Sequence, residues 1–85
     1  MSLAEILMEA VREVEPALRP DEITPTASIT WDLGLDSMRL ARLFQRLEAR
    51  GLVVDGEDWV LAVGVNGQDT VESLRQHLQA RNPAA

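Results

Sequence analysis

The chain has 85 residues, of which 46% are hydrophobic and 26% charged, with no cysteine and a formal net charge of −6. This composition is typical of one folded domain, residues 1–85, and it excludes disulfides, thiolate metal sites and a helix of the ~20 apolar residues that span a bilayer. We expect a cytoplasmic protein with no metal, membrane or nucleic-acid partner, since nucleic acids are held by positive fields.

The first predicted element is an amphipathic helix over residues 3–15. Ser2 and Glu5 have the spacing of a capping box, in which each side chain accepts a backbone N–H of the other residue. Apolar residues follow with the i, i+3, i+4, i+7 spacing of a core-facing stripe: Leu3, Ile6, Leu7, Ala10, Val11 and Val14. Pro16 and Pro20 are expected to end the helix, because proline cannot donate to its backbone ladder.

Residues 16–36 form a predicted long loop, rich in proline, serine and threonine. Loops of this length inside compact domains are usually functional or are anchored by their own side chains. We expect an ordered loop that is pinned across the helix ends by five apolar residues: Ile23, Ile29, Trp31, Leu33 and Leu35.

The second predicted helix covers residues 37–50, with Ser37 as its N-cap and Gly51 as the left-handed residue after its end. One face is apolar and consists of Leu40, Leu43, Phe44 and Leu47. A separate stripe, about 100° away, consists of Arg39, Arg42, Arg46 and Arg50. These four arginines face a single acid, Glu48, within residues 37–50. This segment is therefore the basic part of an otherwise acidic chain. We predict a helix that buries one side and displays the other.

A short apolar run at residues 59–63 is too brief for periodicity to distinguish helix from strand. A helical turn capped by Asp58 is favoured. Gly64, Asn66 and Gly67 are expected to end the regular structure after it. Trp59, like Trp31, is expected to be a packing residue that stabilises the loops.

The last predicted helix is capped by Asp69 or Thr70 and ends at Asn82 and Pro83. Its inward residues are Val71, Leu74 and Leu78. Three long helices and one short one predict an all-α four-helix bundle with a long loop between helices 1 and 2.

Residues 32–38 carry the chemical signal. Gly34 permits a tight turn, and the leucines on either side of it are able to bury themselves. A serine hydroxyl at a helix N-terminus is exposed, and the free amides and the helix dipole there favour an attached anion. Ser37 is therefore a candidate for covalent attachment through phosphate, although without its neighbours it would be an ordinary N-cap.

Catalysis by Ser37 itself is disfavoured. A nucleophilic serine needs a base within hydrogen-bond reach and an oxyanion hole. The one histidine, His77, lies in the last predicted helix, where we expect it at the surface, and there is no Gly-x-Ser-x-Gly elbow. A serine enzyme ranks below attachment, and also below a non-enzymatic helical adaptor in which Ser37 only caps its helix.

The sequence Asp-Leu-Gly-Leu-Asp-Ser-Met-Arg-Leu at residues 32–40 resembles the phosphopantetheine attachment motif of acyl, peptidyl and aryl carrier proteins. The layout of residues 3–81 is also similar to that family. The resemblance implies a non-enzymatic carrier, on which a phosphopantetheinyl transferase uses coenzyme A and Mg²⁺ to attach 4′-phosphopantetheine at Ser37. Leu35 and Asp36 belong to the same implied cofactor site. The arm then holds acyl or aminoacyl groups as thioesters.

The implied partners are the transferase, an adenylation or acyl-loading enzyme, and downstream condensing or tailoring enzymes. Fatty-acid carriers usually have an acidic second helix, whereas this one is basic, and Met38 followed by Arg39 looks more like peptidyl and aryl carriers. We therefore expect a discrete, monomeric carrier of a nonribosomal-peptide or specialised polyketide pathway. Partner docking is predicted at Met38, Arg39, Arg42 and Arg46, with a merely solvated helix face as the alternative for the arginines.

The resemblance is weakest over residues 59–68. This stretch is longer and more apolar than the third-helix region of the family usually is. The structure of residues 53–69 is therefore left open by the sequence.

Overall fold

A computed structural model describes residues 1–63 and 68–84. Within these ranges the chain forms four α-helices: α1, Leu3–Val14; α2, Ser37–Ala49; α3, Gly56–Val63; and α4, Val71–Arg81. A 3₁₀ turn at Pro20–Glu22 lies in the long first loop. The same described ranges contain no β-strand, only a single bridge between Ser28 and Thr70. The predicted all-α four-helix bundle with a long loop between α1 and α2 is confirmed.

The start of α1 follows the predicted capping box. Ser2 Oγ accepts the N–H of Glu5 at 3.2 Å, and Glu5 Oε1 accepts the N–H of Ser2 at 3.3 Å. The helix ends at Val14, one residue before the predicted end, with Glu15 as the C-cap. Glu15 leaves the helical conformation because it precedes Pro16, whose ring disfavours helical backbone in the residue before it.

The core lies where α1 packs against α2 and α4, with α3 packed on α4. The buried side chains are mainly the ones that the helical stripes predict. From the helices they are Leu3, Leu7, Ala10, Val11, Leu43, Leu47, Trp59, Leu74 and Leu78. The long loop adds Leu18, Ile23, Ala27, Ile29, Leu33 and Leu35, so this connection is part of the core rather than a surface strap.

The short third element is a helix, but it begins earlier than predicted. Asp55 Oδ1 accepts the N–H of Asp58 at 3.0 Å, so α3 starts at Gly56 and the predicted cap at Asp58 is wrong. Two aspartates spaced by three residues each offer a cap, and the earlier one adds a further turn. Asp58 instead pairs with Arg81 of α4 at 2.8 Å.

Trp59 joins α3 to the rest of the bundle. Its side chain is 2% exposed, it meets the Phe44 ring edge-on with 6.0 Å between ring centroids, and its Nε1–H donates to Ser73 Oγ at 3.3 Å. The prediction that Trp59 is a packing residue is confirmed. Burial accounts for Trp59 alone, since Val60 and Leu61 of the same helix are 42% and 75% exposed.

The predicted cap of α4 at Thr70 is confirmed, since Thr70 Oγ1 accepts the N–H of Ser73 at 3.1 Å. Asn82 ends the helix, as predicted, and exchanges two hydrogen bonds with the backbone of Val53 in the α2–α3 connection. The predicted break at Gly64, Asn66 and Gly67 lies outside the described residues.

His77 is half-buried, so its predicted surface position is wrong. Its Nε2 is buried and finds no hydrogen-bond partner among residues 1–63 and 68–84. Burial lowers the pKa of His77, and the neighbouring Arg81 guanidinium lowers it further. Burial and the neighbouring cation therefore favour the neutral imidazole.

None of the helices in the described part of the chain is both long enough and apolar enough to cross a membrane.

Gly56 lies so close to α2 that a Cβ there would overlap the Phe44 ring. We expect Gly56→Ala to lower the free energy of unfolding by about 1–3 kcal/mol through overpacking. In a Phe44→Leu background the same substitution should cost less, because the ring is gone. Urea denaturation of the four proteins measures both costs, and an equal effect of Gly56→Ala in the two backgrounds would contradict the close approach.

Candidate attachment site

Ser37 is the first residue of α2, and the helix is capped by the residue before it. Asp36 Oδ1 accepts the N–H of Arg39 at 2.8 Å, and Asp36 has the extended backbone of an N-cap. The predicted N-cap role of Ser37 is therefore wrong, because the Asp36 carboxylate takes the amide that a serine cap would have bound. Ser37 is exposed, and its hydroxyl makes no hydrogen bond to any residue that the structure describes.

This arrangement suits a phosphate ester. The first-turn amides of α2 lack helical acceptors, and the N-terminal end of the helix dipole favours negative charge. The Asp36 carboxylate lies at the same end, but it is engaged by the Arg39 amide. A hydroxyl that is free of capping duty, exposed and next to these amides fits covalent attachment of an anionic group.

The turn before Ser37 is closed by hydrogen bonds that backbone N–H groups donate to one carboxylate and to backbone carbonyls. Ser28 N–H donates to Asp32 Oδ2 at 2.7 Å, and Asp32 N–H donates back to Ser28 O at 2.9 Å. Gly34 then adopts a φ of 74°, which lets Leu35 N–H reach Ile29 O at 3.1 Å. Leu35 is buried, so this residue of the predicted cofactor site holds the turn to the core rather than facing the solvent.

Sequence reasoning considered Asp69 only as a possible cap of the last helix and missed its role as the anchor of the long loop. Its carboxylate accepts three hydrogen bonds from the loop: Ser28 Oγ–H at 2.8 Å, Thr30 N–H at 3.0 Å and Thr30 Oγ1–H at 2.6 Å. The residue is 7% exposed. Burial raises the pKa of Asp69, but the hydrogen bonds from Thr30 and Ser28 outweigh it and hold the pKa below its usual value.

The backbone around Asp69 extends this anchor. Ile29 N–H donates to Asp69 O at 2.9 Å, and Val71 N–H donates to Ala27 O at 3.0 Å. The loop therefore runs along the start of α4, and the prediction that it is anchored is confirmed. Trp31 is the exception. Its side chain is 72% exposed, so its predicted packing role is wrong.

The arginine stripe of α2 faces the acidic side of α1. Arg39 Nη1 lies 2.9 Å from Glu15 Oε2, and Arg46 Nη1 lies 3.6 Å from Glu13 Oε2. Arg50 pairs with Glu13 and, at 3.0 Å, with Glu9. The hydrogen bond from Arg50 to Glu13 raises the pKa of Arg50. Three of the four charges are thus compensated within the chain.

Two predicted docking residues remain open to a partner. Met38 is 69% exposed and lies directly after Ser37. Arg42 is exposed and forms no ion pair with a residue in the described ranges. The predicted docking set therefore divides into Met38 and Arg42, which are free, and Arg39 and Arg46, which are already paired.

Nothing near Ser37 equips it as an enzyme's nucleophile. In the described ranges, no histidine or carboxylate hydrogen-bonds to its hydroxyl. The same residues hold no group of three or more His, Asp or Glu side chains that could bind a metal ion. An exposed hydroxyl at a helix start, on an anchored turn, is instead the arrangement of an attachment point.

Comparison with known families supports the same interpretation. A family model described as a phosphopantetheine attachment site matches residues 5–78, which is most of the chain. The chain belongs to this carrier family. Carrier domains of the family hold 4′-phosphopantetheine covalently and are not catalysts, so the predicted family, cofactor and non-enzymatic role are confirmed. Comparisons with curated proteins and with solved structures gave no match.

The lowered pKa of Asp69 predicts how the stability of the carrier domain depends on pH. A carboxylate with a depressed folded-state pKa stabilises the fold fully above its usual value, 3.8, and loses that contribution as pH falls through the folded value. We expect Asp69→Asn to lower the free energy of unfolding by about 1–3 kcal/mol at pH 7. The difference from wild type should shrink below pH 3.8.

Urea denaturation between pH 7 and pH 3 measures this difference. Glu48→Gln is the matched control, since Glu48 is an exposed acid without an ion pair among the described residues. If Asp69→Asn unfolds like the control at pH 7, the Asp69 carboxylate does not anchor the loop.

Proposed function

We propose that this carrier domain holds acyl or aminoacyl intermediates as thioesters on a 4′-phosphopantetheine arm attached to Ser37. The observation that carries the proposal is the exposed Ser37 hydroxyl at the first position of α2, left free because Asp36 caps the helix. The attachment-like motif at residues 32–40 lies within the matched segment. The arm, when bound, supplies a thiol that carries the cargo, while the bundle holds its point of attachment.

The residues around Ser37 have separate parts in this proposal. Asp36 starts the helix and so fixes where the hydroxyl projects, and Leu35 fastens the turn to the core. Activation of the hydroxyl belongs to a phosphopantetheinyl transferase acting with coenzyme A and Mg²⁺, since no base in the described ranges contacts Ser37. Met38 and Arg42 lie one turn apart on the same face of α2 and offer that enzyme one apolar and one cationic contact.

We further propose a place in nonribosomal-peptide or specialised polyketide biosynthesis, including antibiotic pathways. The support is the basic stripe of α2 and the Met38–Arg39 sequence after the serine, both of which resemble peptidyl and aryl carriers more than fatty-acid carriers. Its partners would be an adenylation or acyl-loading enzyme and then condensing or tailoring enzymes. We also predict that the protein is monomeric and lies in the cytoplasm.

The attachment site is tested by intact-mass measurement. We expect the purified protein to gain the mass of one phosphopantetheine when incubated with coenzyme A, Mg²⁺ and a promiscuous phosphopantetheinyl transferase. Ser37→Ala should gain nothing. Ser2→Ala is the matched control, because Ser2 is the other exposed serine at a helix start, and this variant should be modified like wild type.

Two results would count against the proposal. Modification of Ser37→Ala would place the arm elsewhere on this carrier. Unmodified wild-type protein in the presence of an active transferase would leave a helical adaptor as the better description.

Arg42 provides a test of docking by charge. We expect Arg42→Gln to raise the KM of the transferase for this carrier about two- to fivefold at low salt, because an exposed ion pair contributes little more than ~1 kcal/mol. The effect should fade as salt is added. Arg50→Gln is the matched control, since Arg50 is internally paired and lies at the far end of α2 from Ser37. Equal KM values for the two variants at every salt concentration would remove the docking role of Arg42.

A further inference from the structure

Trp31 displays a large apolar surface at an unusual position. Its side chain is 72% exposed, whereas Trp59, the other tryptophan, is 2% exposed. A single exposed leucine is ordinary on a protein surface. An exposed tryptophan leaves more apolar area in water, because its side chain is the largest of the twenty. The packing of this domain gives no reason for it, since the core is complete without Trp31.

The backbone of Trp31 is held rigidly on both sides. Thr30, before it, donates two hydrogen bonds to the buried Asp69 carboxylate, and Trp31 N–H itself donates to Ser28 Oγ at 3.1 Å. Asp32, after it, exchanges two hydrogen bonds with Ser28. An exposed aromatic side chain on a fixed backbone loses little conformational entropy when a partner covers it, which is the property of a binding anchor.

The same turn leads to Ser37. The hydrogen bond from Leu35 N–H to Ile29 O closes the segment that contains Trp31, and Ser37 follows two residues after that closure. An enzyme that reaches the Ser37 hydroxyl therefore approaches the turn that displays the indole. Met38, directly after Ser37 in the sequence, is 69% exposed as well.

Charge alone provides limited attraction at this end of the domain. Arg39 is paired with Glu15, and Arg46 with Glu13, which leaves Arg42 as the uncompensated cation of α2 among the described residues. Exposed charges also contribute little in salt. A partner that recognises this surface thus gains more from covering an indole on a fixed backbone than from the arginine stripe.

We infer that Trp31 is an anchor residue for the phosphopantetheinyl transferase, and that its indole enters an apolar recess of that enzyme while Ser37 faces the reactive centre. The inference rests on the proposed attachment at Ser37. Tryptophan is enriched among the few residues that dominate interface energies. Trp31 is a specificity-determining residue of this chain rather than part of the motif at residues 32–40.

The test compares transferase kinetics for wild type, Trp31→Ala, Trp31→Phe and Val53→Ala as carrier substrates. Trp31→Ala should raise KM about tenfold, as expected for an interface anchor, with kcat within about twofold of wild type. Trp31→Phe should recover most of the affinity, because it restores an aromatic side chain. Val53→Ala is the matched control. Val53 is an apolar residue that is 61% exposed, and it follows the C-terminal end of α2, whereas Ser37 lies at the N-terminal end.

Salt and binding measurements separate the indole contact from other causes. The KM ratio of Trp31→Ala to wild type should persist at high salt, where the Arg42→Gln effect fades. Calorimetric titration of transferase with unreactive Ser37→Ala carrier should show about tenfold weaker binding when Trp31→Ala is added. Urea denaturation of Trp31→Ala should match wild type, because an exposed side chain stabilises the fold little.

An unchanged KM for Trp31→Ala overturns the inference, as does a loss confined to kcat. A loss of unfolding free energy in both Trp31→Ala and Trp31→Phe would make Trp31 a structural residue and would also overturn it. If wild-type protein acquires no arm at all, the attachment proposal fails instead, so the two failures are distinguishable.

Discussion

The buried carboxylate of Asp69 is the constraint on which the attachment end of this domain depends. Ordering a loop of some twenty residues costs roughly 1–2 kcal/mol of backbone entropy per residue, so the loop needs fixed points. Asp69 accepts three hydrogen bonds from Ser28 and Thr30, and its own carbonyl receives Ile29 N–H. Ser28 in turn exchanges two hydrogen bonds with Asp32. The position of Ser37 therefore depends on a contact made by a residue at the far end of the chain.

Asp36 and Ser37 divide two tasks that one serine cannot perform together. A serine at the N-cap directs its oxygen at a backbone amide, and a hydroxyl so engaged is less available for modification. With Asp36 at the cap, the helix end is satisfied by a carboxylate, which also suits the dipole. The hydroxyl of the next residue is then exposed beside the remaining first-turn amides. The acidic residue before the serine is thus explained by helix capping alone.

The features that sequence could predict are local. The stripes of α1 and α2, the Ser2–Glu5 capping box and the motif at residues 32–40 all depend on residues that are close together in the sequence. The missed features are tertiary. Asp69 meets Ser28 across 41 residues, and no periodicity indicates that contact. Periodicity places the arginines on one face but cannot show that α1 presents glutamates to it. The size of Trp31 predicts a packing role, and only the tertiary structure shows that its side chain lies outside the core.

The pairing of α1 with α2 also explains how a basic helix can exist in an acidic domain without acting as a strong electrostatic surface. Arg39, Arg46 and Arg50 neutralise the Glu stripe of α1, so their charges are compensated before any partner arrives. These pairs are partly exposed, so exchanging one of them for an ion pair with a partner would change the free energy little. Long-range electrostatic steering by α2 is consequently weak. Weak, short-range contacts suit a carrier, because it must leave each enzyme after delivery.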